Sequence, residues 1–169
     1  DAGFHGLCVP TRHGGRGADF VTYALVAEEL GRHCGATALT FNMHTATCLL
    51  AGPIADELGL TGDDLALLDA RRTLLFDGVI GGHTLHSQPF SEGLSGRATT
   101  GVATVAKPVD GGFRITGKKI FASLSDAADM HNVVALVPGD DRIRLFGVPK
   151  GAEGLTITGD WDPLGMRGT

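Results

Sequence analysis

The 169-residue sequence predicts an α+β chain, with helices first and a small antiparallel β-barrel or sandwich after them. Three observations carry this. Apolar residues recur three and four apart between about residues 18 and 79. From Gly81 onward the period changes to two. Short apolar runs in that second half are separated by Gly, Asp and Pro. The expected division is a helical part over 1–80 and a β part over 81–169.

The first helix should begin after Asp19, an acid suited to cap free amides at the positive end of a helix. Phe20, Tyr23, Ala24, Ala27 and Leu30 then form one apolar stripe, and Gly31 and Gly35 punctuate its end. A second helix is expected from about Ala36 to Leu50. It is apolar nearly all round (Leu39, Phe41, Met43, Leu49, Leu50), so it should be buried. Gly52-Pro53 stops or breaks it. A third runs from about Asp63 to Val79, with Leu65, Leu68, Leu75 and Val79 on one side and Arg72 as the polar intruder.

In the second half "HTLHSQPF" is a candidate strand. "GVATVAKPV", "DGG" and "FRITGKKIFAS" read as a β-hairpin, since Asp110-Gly111 supplies the positive φ values a tight turn needs. "NVVALVP", "IRLFGVP" and "GLTITGDW" are three further strands. There is no internal repeat and no low-complexity tract.

Composition excludes several function classes. Hydrophobic residues make up 43% and charged residues 20%, so a packed core is affordable and wholesale disorder is not expected. Net charge is −5, and the 14 Lys and Arg do not cluster into a nucleic-acid footprint. No apolar run approaches the roughly 20 residues that span a bilayer, and the start lacks a signal-peptide pattern. Three widely spaced cysteines, Cys8, Cys34 and Cys48, suit free thiols and a cytoplasmic location rather than a disulfide scaffold. The chain does not start with Met and stops after the turn-rich "WDPLGMRGT", which suggests a fragment.

Most chemical constellations reduce to structural roles. His83 and His86 are three apart on a strand and diverge, so no metal pair is expected. His44 and Cys48 share a helix face but lack two further ligands at zinc spacing, which leaves a hydrogen-bonded histidine and a packed cysteine. "HGGRG" lacks P-loop spacing and reads as a tight loop before a helix. "GLSGR" lacks the second glycine of a nucleophile elbow. Glu28 and Glu29 make one solvated face, and Asp126 and Asp129 a surface loop.

Two strand exits remain, "QPFSEGLSG" and "KKIFASLSDAADM". Each sets an aromatic beside a small hydroxyl residue. A flavin ring suits such an edge, since its polar rim takes donors from amides and hydroxyls and its apolar edge takes an aromatic wall. Phe beside Ser is common, so this pattern alone is weak.

Five stretches then match one family in order. "GLCVPTRHGGRGADFVTYALVAEELGRHCGATAL", "PFSEGLSG", "DGGFRITGKKIFAS", "LFGVPKGAEGLTI" and "WDPLGMRGT" together resemble the acyl-CoA dehydrogenase superfamily of flavoproteins. The resemblance implies part of an N-terminal helical domain (1–80) and a middle β domain cut short at its end (81–169), with the C-terminal helical domain absent. It implies FAD as cofactor. By position, Ser91 would serve the flavin pyrimidine end, with Phe90 and Gln88 beside it. Phe121 would shield the ring, Ala122 would follow it, and Ser123 would reach the N5 region. Gly96 would let the loop pass close to cofactor and substrate, and Ser91 and Arg97 would meet the substrate.

The implied reaction is α,β-dehydrogenation of an acyl thioester, in which a carboxylate removes the α-proton and the β-hydride passes to the flavin. No residue here matches that base, so the catalytic set of this chain is empty, and the chain alone is expected to be inactive and to bind FAD weakly, since the family also uses its third domain and a neighbouring subunit. Implied partners are acyl-CoA or a related thioester, an electron-transfer flavoprotein or similar acceptor, and further copies of the full-length chain. Gly93 in place of Pro, and Arg97-Ala98 in place of Ser-Asp, leave room for a flavin monooxygenase or oxidase on the same scaffold. A non-catalytic interaction module is the third reading.

Overall fold

A computed structural model describes residues 3–93, 101–140 and 142–169. The elements are a 3₁₀ turn (Thr11–His13), α1 (Phe20–His33), α2 (Gly35–Leu49), a π turn (Leu50–Ile54), α3 (Gly62–Ile80), β1 (His86–Ser87), β2 (Val105–Val109), β3 (Gly112–Thr116), β4 (Met130–Leu136) and β5 (Ile143–Pro149). They fall into two compact units. One ends at Leu85 and takes in Gly159–Thr169, and the other is His86–Thr158.

In the helical unit, Asp19 caps α1 by accepting from the Thr22 amide at 2.8 Å. Cys34, extended at φ −156°, ends α1 and starts α2, so the second helix begins at Gly35. The predicted α1 stripe is only partly observed. Tyr23 and Val26 pack on the core, while Phe20 is 54% exposed. Only the C-terminal half of α2 is buried, from His44 onward. The core is Leu7, Cys8, Val9, Cys48, Leu49, Phe76 and Val79. Gly15 lies so close to Val9 that a side chain there would collide with the Val9 backbone, which explains the glycine in "HGGRG".

Arg72 is 3% exposed and its partners explain it. The helix after α2 breaks at Gly52 (φ −94°, ψ −109°) and Pro53. Arg72 Nε donates to the Ala51 carbonyl at 2.6 Å and Nη2 to the Gly52 carbonyl at 3.1 Å. It also pairs with Asp56 at 2.7 Å and Asp69 at 3.1 Å. The intruder on the apolar face of α3 thus satisfies the backbone of the break.

The β unit is one five-stranded sheet, and it is mixed rather than antiparallel. β5 pairs antiparallel with β4 along its whole length. The other edge of β4 takes β1 at one end (His86↔Met130) and β2 at the other (Val105↔Leu136), both parallel. Parallel neighbours need long connections, and in sequence β1 and β4 are separated by residues 88–129 and β2 and β4 by residues 110–129. The β2–β3 hairpin forms, with Val109 opposite Gly112, but of the two turn residues only Gly111 takes the expected positive φ, at 77°, and Asp110 does not.

Two predicted strands are corrected. "HTLHSQPF" contributes only His86–Ser87 to the sheet, because Pro89 has no N–H to continue a ladder. "GLTITGDW" forms no strand. Gly154 and Gly159 adopt positive φ, and no described strand lies beside it to pair with.

Candidate functional site

The connections that make the sheet mixed also carry the predicted site residues. After β1 the chain turns at Gln88, whose carbonyl accepts from the Phe90 amide at 2.8 Å. Gln88 and Phe90 are half-buried and Ser91 is exposed. After β3 the chain runs back through Lys119 and Ile120. The Ile120 amide donates to the Ser91 carbonyl at 2.9 Å, so the two strand exits lie side by side.

Phe121 follows immediately, with φ at 54° and its side chain 63% exposed. A bulky residue in the left-handed region is a backbone outlier, and such strain clusters at functional sites. Leu124 is likewise at φ 71°. Between them the turn is pinned, because the Ala122 carbonyl accepts from Ser125 N at 3.1 Å and from Ser125 Oγ at 2.6 Å. Ala122 and Ser123 are half-buried. Asp126 and Asp129 are exposed, and their carbonyls accept from Lys150.

Gln88, Phe90, Ser91, Phe121, Ala122 and Ser123 thus share one edge of the β unit. Gly96 and Arg97, with most of "GLSGR", lie outside the described residues.

The group that holds this edge together was not anticipated. That group is Glu92. Its side chain is 5% exposed, and Lys119, 10% exposed, lies 2.5 Å from it. The carboxylate also accepts from the Ala103 amide at 2.5 Å, the Thr104 amide at 3.1 Å and the Thr104 hydroxyl at 2.6 Å. Lys119 donates to the Phe90 carbonyl as well, at 3.3 Å. Burial pushes the Glu92 carboxyl up, but these donors outweigh it and hold the pKa down to about 2. Thr104 packs against Gly117 with no room for a side chain between them. The readable signal was the Glu following Ser91 together with a Lys two residues before the aromatic of the second exit.

Other reactive groups resolve into packing. Ser87 Oγ and His131 Nδ1 lie 2.8 Å apart, but Ser87 is fully buried. Burial also holds both His131 and His86 below the ordinary histidine range. His83 is exposed while His86 is buried, so they face different surroundings. His44 Nε2 bonds to the His5 carbonyl at 3.3 Å. All three cysteines are free thiols. Burial pushes Cys8 up to about 11 and Cys48 to about 12, so neither is a ready nucleophile. Glu28 and Glu29 are exposed and pair with Arg32. No described helix is long and apolar enough to cross a membrane.

Comparison with known proteins identifies the family of the chain. The family model for the acyl-CoA dehydrogenase N-terminal domain matches residues 1–56, and that for the middle domain matches residues 88–169. The chain is 27% identical over 172 residues to the mitochondrial isovaleryl-CoA dehydrogenase of Oryza sativa subsp. japonica, covering all of this chain and 39% of that protein. It is 27% identical over 168 residues to the corresponding Arabidopsis thaliana protein, covering 98% and 38%. It therefore spans about two fifths of the length of these relatives. Among solved structures it shares the fold of FMN-bound TdsC from Paenibacillus sp. A11-2, a dibenzothiophene monooxygenase. There the TM-score is 0.80 at 23% identity, over 99% of this chain and 40% of that one.

Proposed function

Because the chain belongs to the acyl-CoA dehydrogenase superfamily, we propose that it forms the flavin-facing part of an FAD-dependent enzyme that dehydrogenates an acyl thioester between its α and β carbons. The observation that carries this reading is the Ser91–Ile120 bond, which aligns two hydroxyl- and aromatic-bearing segments beside an exposed Phe121 at positive φ. The edge fits a planar heterocycle with a polar rim. Phe121 supplies an aromatic wall, Ser91 and Ser123 supply hydroxyls, and the backbone around Gln88, Phe90 and Ala122 supplies amides and carbonyls.

The flavin would supply a two-electron acceptor, chemistry that no side chain provides. The protein's share is to bind and orient it and to keep the wall beside it apolar. Gly96 and Arg97 belong to the proposal as the loop that approaches cofactor and substrate. The carboxylate base is assigned to no residue of this chain. An external electron acceptor, self-association and a cytoplasmic location complete the reading.

A second reading is a flavin monooxygenase, favoured by the fold shared with TdsC and by Arg97 where the resemblance leads one to expect Ser. Titration of the chain with FAD and FMN, followed by flavin fluorescence and the visible absorption band, separates the two. The dehydrogenase reading expects uptake of FAD in preference to FMN, weakened by Ser91→Ala and Ser123→Ala. Preference for FMN supports the monooxygenase, and uptake of neither flavin overturns both.

A further inference from the structure

We infer that Glu92 is a positioning residue for the flavin, acting through Lys119 to fix the two strand exits in register. The inference rests on the flavin reading above. Three passages of chain converge on the Glu92 carboxylate: its own strand exit, the approach to β2 through Ala103 and Thr104, and the return from β3 through Lys119. Neither Glu92 nor Lys119 need touch the cofactor. Glu92 follows Ser91 directly, and Lys119 comes two residues before Phe121. Lys119 spans the exits twice, reaching the Glu92 carboxylate at 2.5 Å and the Phe90 carbonyl at 3.3 Å.

A merely solvated ion pair would not need this arrangement. Both side chains are nearly buried, so each charge depends on the other. The carboxylate is met by four donors, whereas an exposed acid would use water. The knot lies where the backbone must hold Phe121 at positive φ, a conformation that persists only when its surroundings over-determine it.

The test uses Lys119→Met, Lys119→Arg and Glu92→Gln in the same chain, with two readouts. The first is exchange of the Ile120 amide in the cofactor-free protein. The second is flavin affinity together with the shape of the bound flavin's visible band. Lys119→Met should speed Ile120 exchange and weaken flavin binding, each by about tenfold, the equivalent of one charge-assisted hydrogen bond. It should also shift the band while leaving the β4–β5 ladder amides protected. Lys119→Arg should restore most of the affinity.

Lys119→Met keeps three of the four donors on Glu92, so it decides the matter even if Glu92→Gln fails to fold. The inference is overturned if affinity and band shape stay within about twofold of the unsubstituted chain, whether or not Ile120 exchange changes. Failure of the unsubstituted chain to take up any flavin is a distinct result. It removes the flavin reading, and this inference with it.

Discussion

The amide of Ile120 donates to the carbonyl of Ser91 at 2.9 Å, across 29 positions of sequence, and brings two separate strand exits onto one edge. Ile120→Pro removes this donor without adding charge or deleting much apolar surface. It should cost about 1–3 kcal/mol in urea unfolding and lower flavin affinity by about tenfold or more. Unchanged flavin affinity would mean that the two exits act independently.

Phe121 separates structural from functional importance. Its φ of 54° costs a non-glycine residue roughly 1–2 kcal/mol, while its ring is 63% exposed and contributes little burial. Phe121→Gly relieves the strain and adds about 0.5–1 kcal/mol of chain entropy cost. Stability should therefore stay within about 1 kcal/mol of the parent while flavin binding weakens. A large loss of stability with intact binding would make the ring a packing element.

Glu92 makes a pH prediction. Its folded pKa of about 2 lies below its ordinary 4.5. The unfolded chain therefore takes up the proton first as pH falls. The stabilisation is complete above about 4.5, declines below it and is lost as pH passes about 2. The shift corresponds to roughly 3–4 kcal/mol. Asp140, also held to about 2, titrates in the same window, so the quantity to measure is the difference between the parent and Glu92→Gln. The gap in unfolding free energy should narrow between pH 4.5 and 2; a constant gap would contradict the ion-paired carboxylate.

Arg72 should matter for the helical unit alone. Arg72→Met preserves much of the side-chain volume but leaves the Ala51 and Gly52 carbonyls without its donors. Asp56 keeps Arg12 at 2.6 Å. A loss of about 3 kcal/mol is expected in urea unfolding. A change below about 0.5 kcal/mol would show that the break at Gly52-Pro53 needs no buried cation.

How much of this was legible followed the range of the interactions. The cap at Asp19 and the turn at Asp110-Gly111 depend on neighbours within a few residues, and both formed, with Gly111 alone at the positive φ expected of the two turn residues. Strand direction did not follow. The alternation over "NVVALVP" marks a strand but carries nothing about whether β1 and β2 run parallel to it. Arg72 was visible as an intruder, yet its partners exist only because the chain breaks at Gly52-Pro53. Glu92 and Lys119 are 27 positions apart, and only the fold makes them neighbours. The positive φ of Phe121 had no signal, since Phe is not a residue associated with that conformation. The candidate residues Gln88, Phe90, Ser91, Phe121, Ala122 and Ser123 came from pattern and resemblance, whereas the device that joins their segments came from the structure.

Backbone amide shifts recorded while the isotope-labelled chain is titrated with FAD test the central claim most directly. The account predicts that the largest changes fall together on Gln88, Phe90, Ser91 and Phe121–Ser123, with saturation at a common flavin concentration. Changes confined to the helices, or to only one of the two exits, would contradict it.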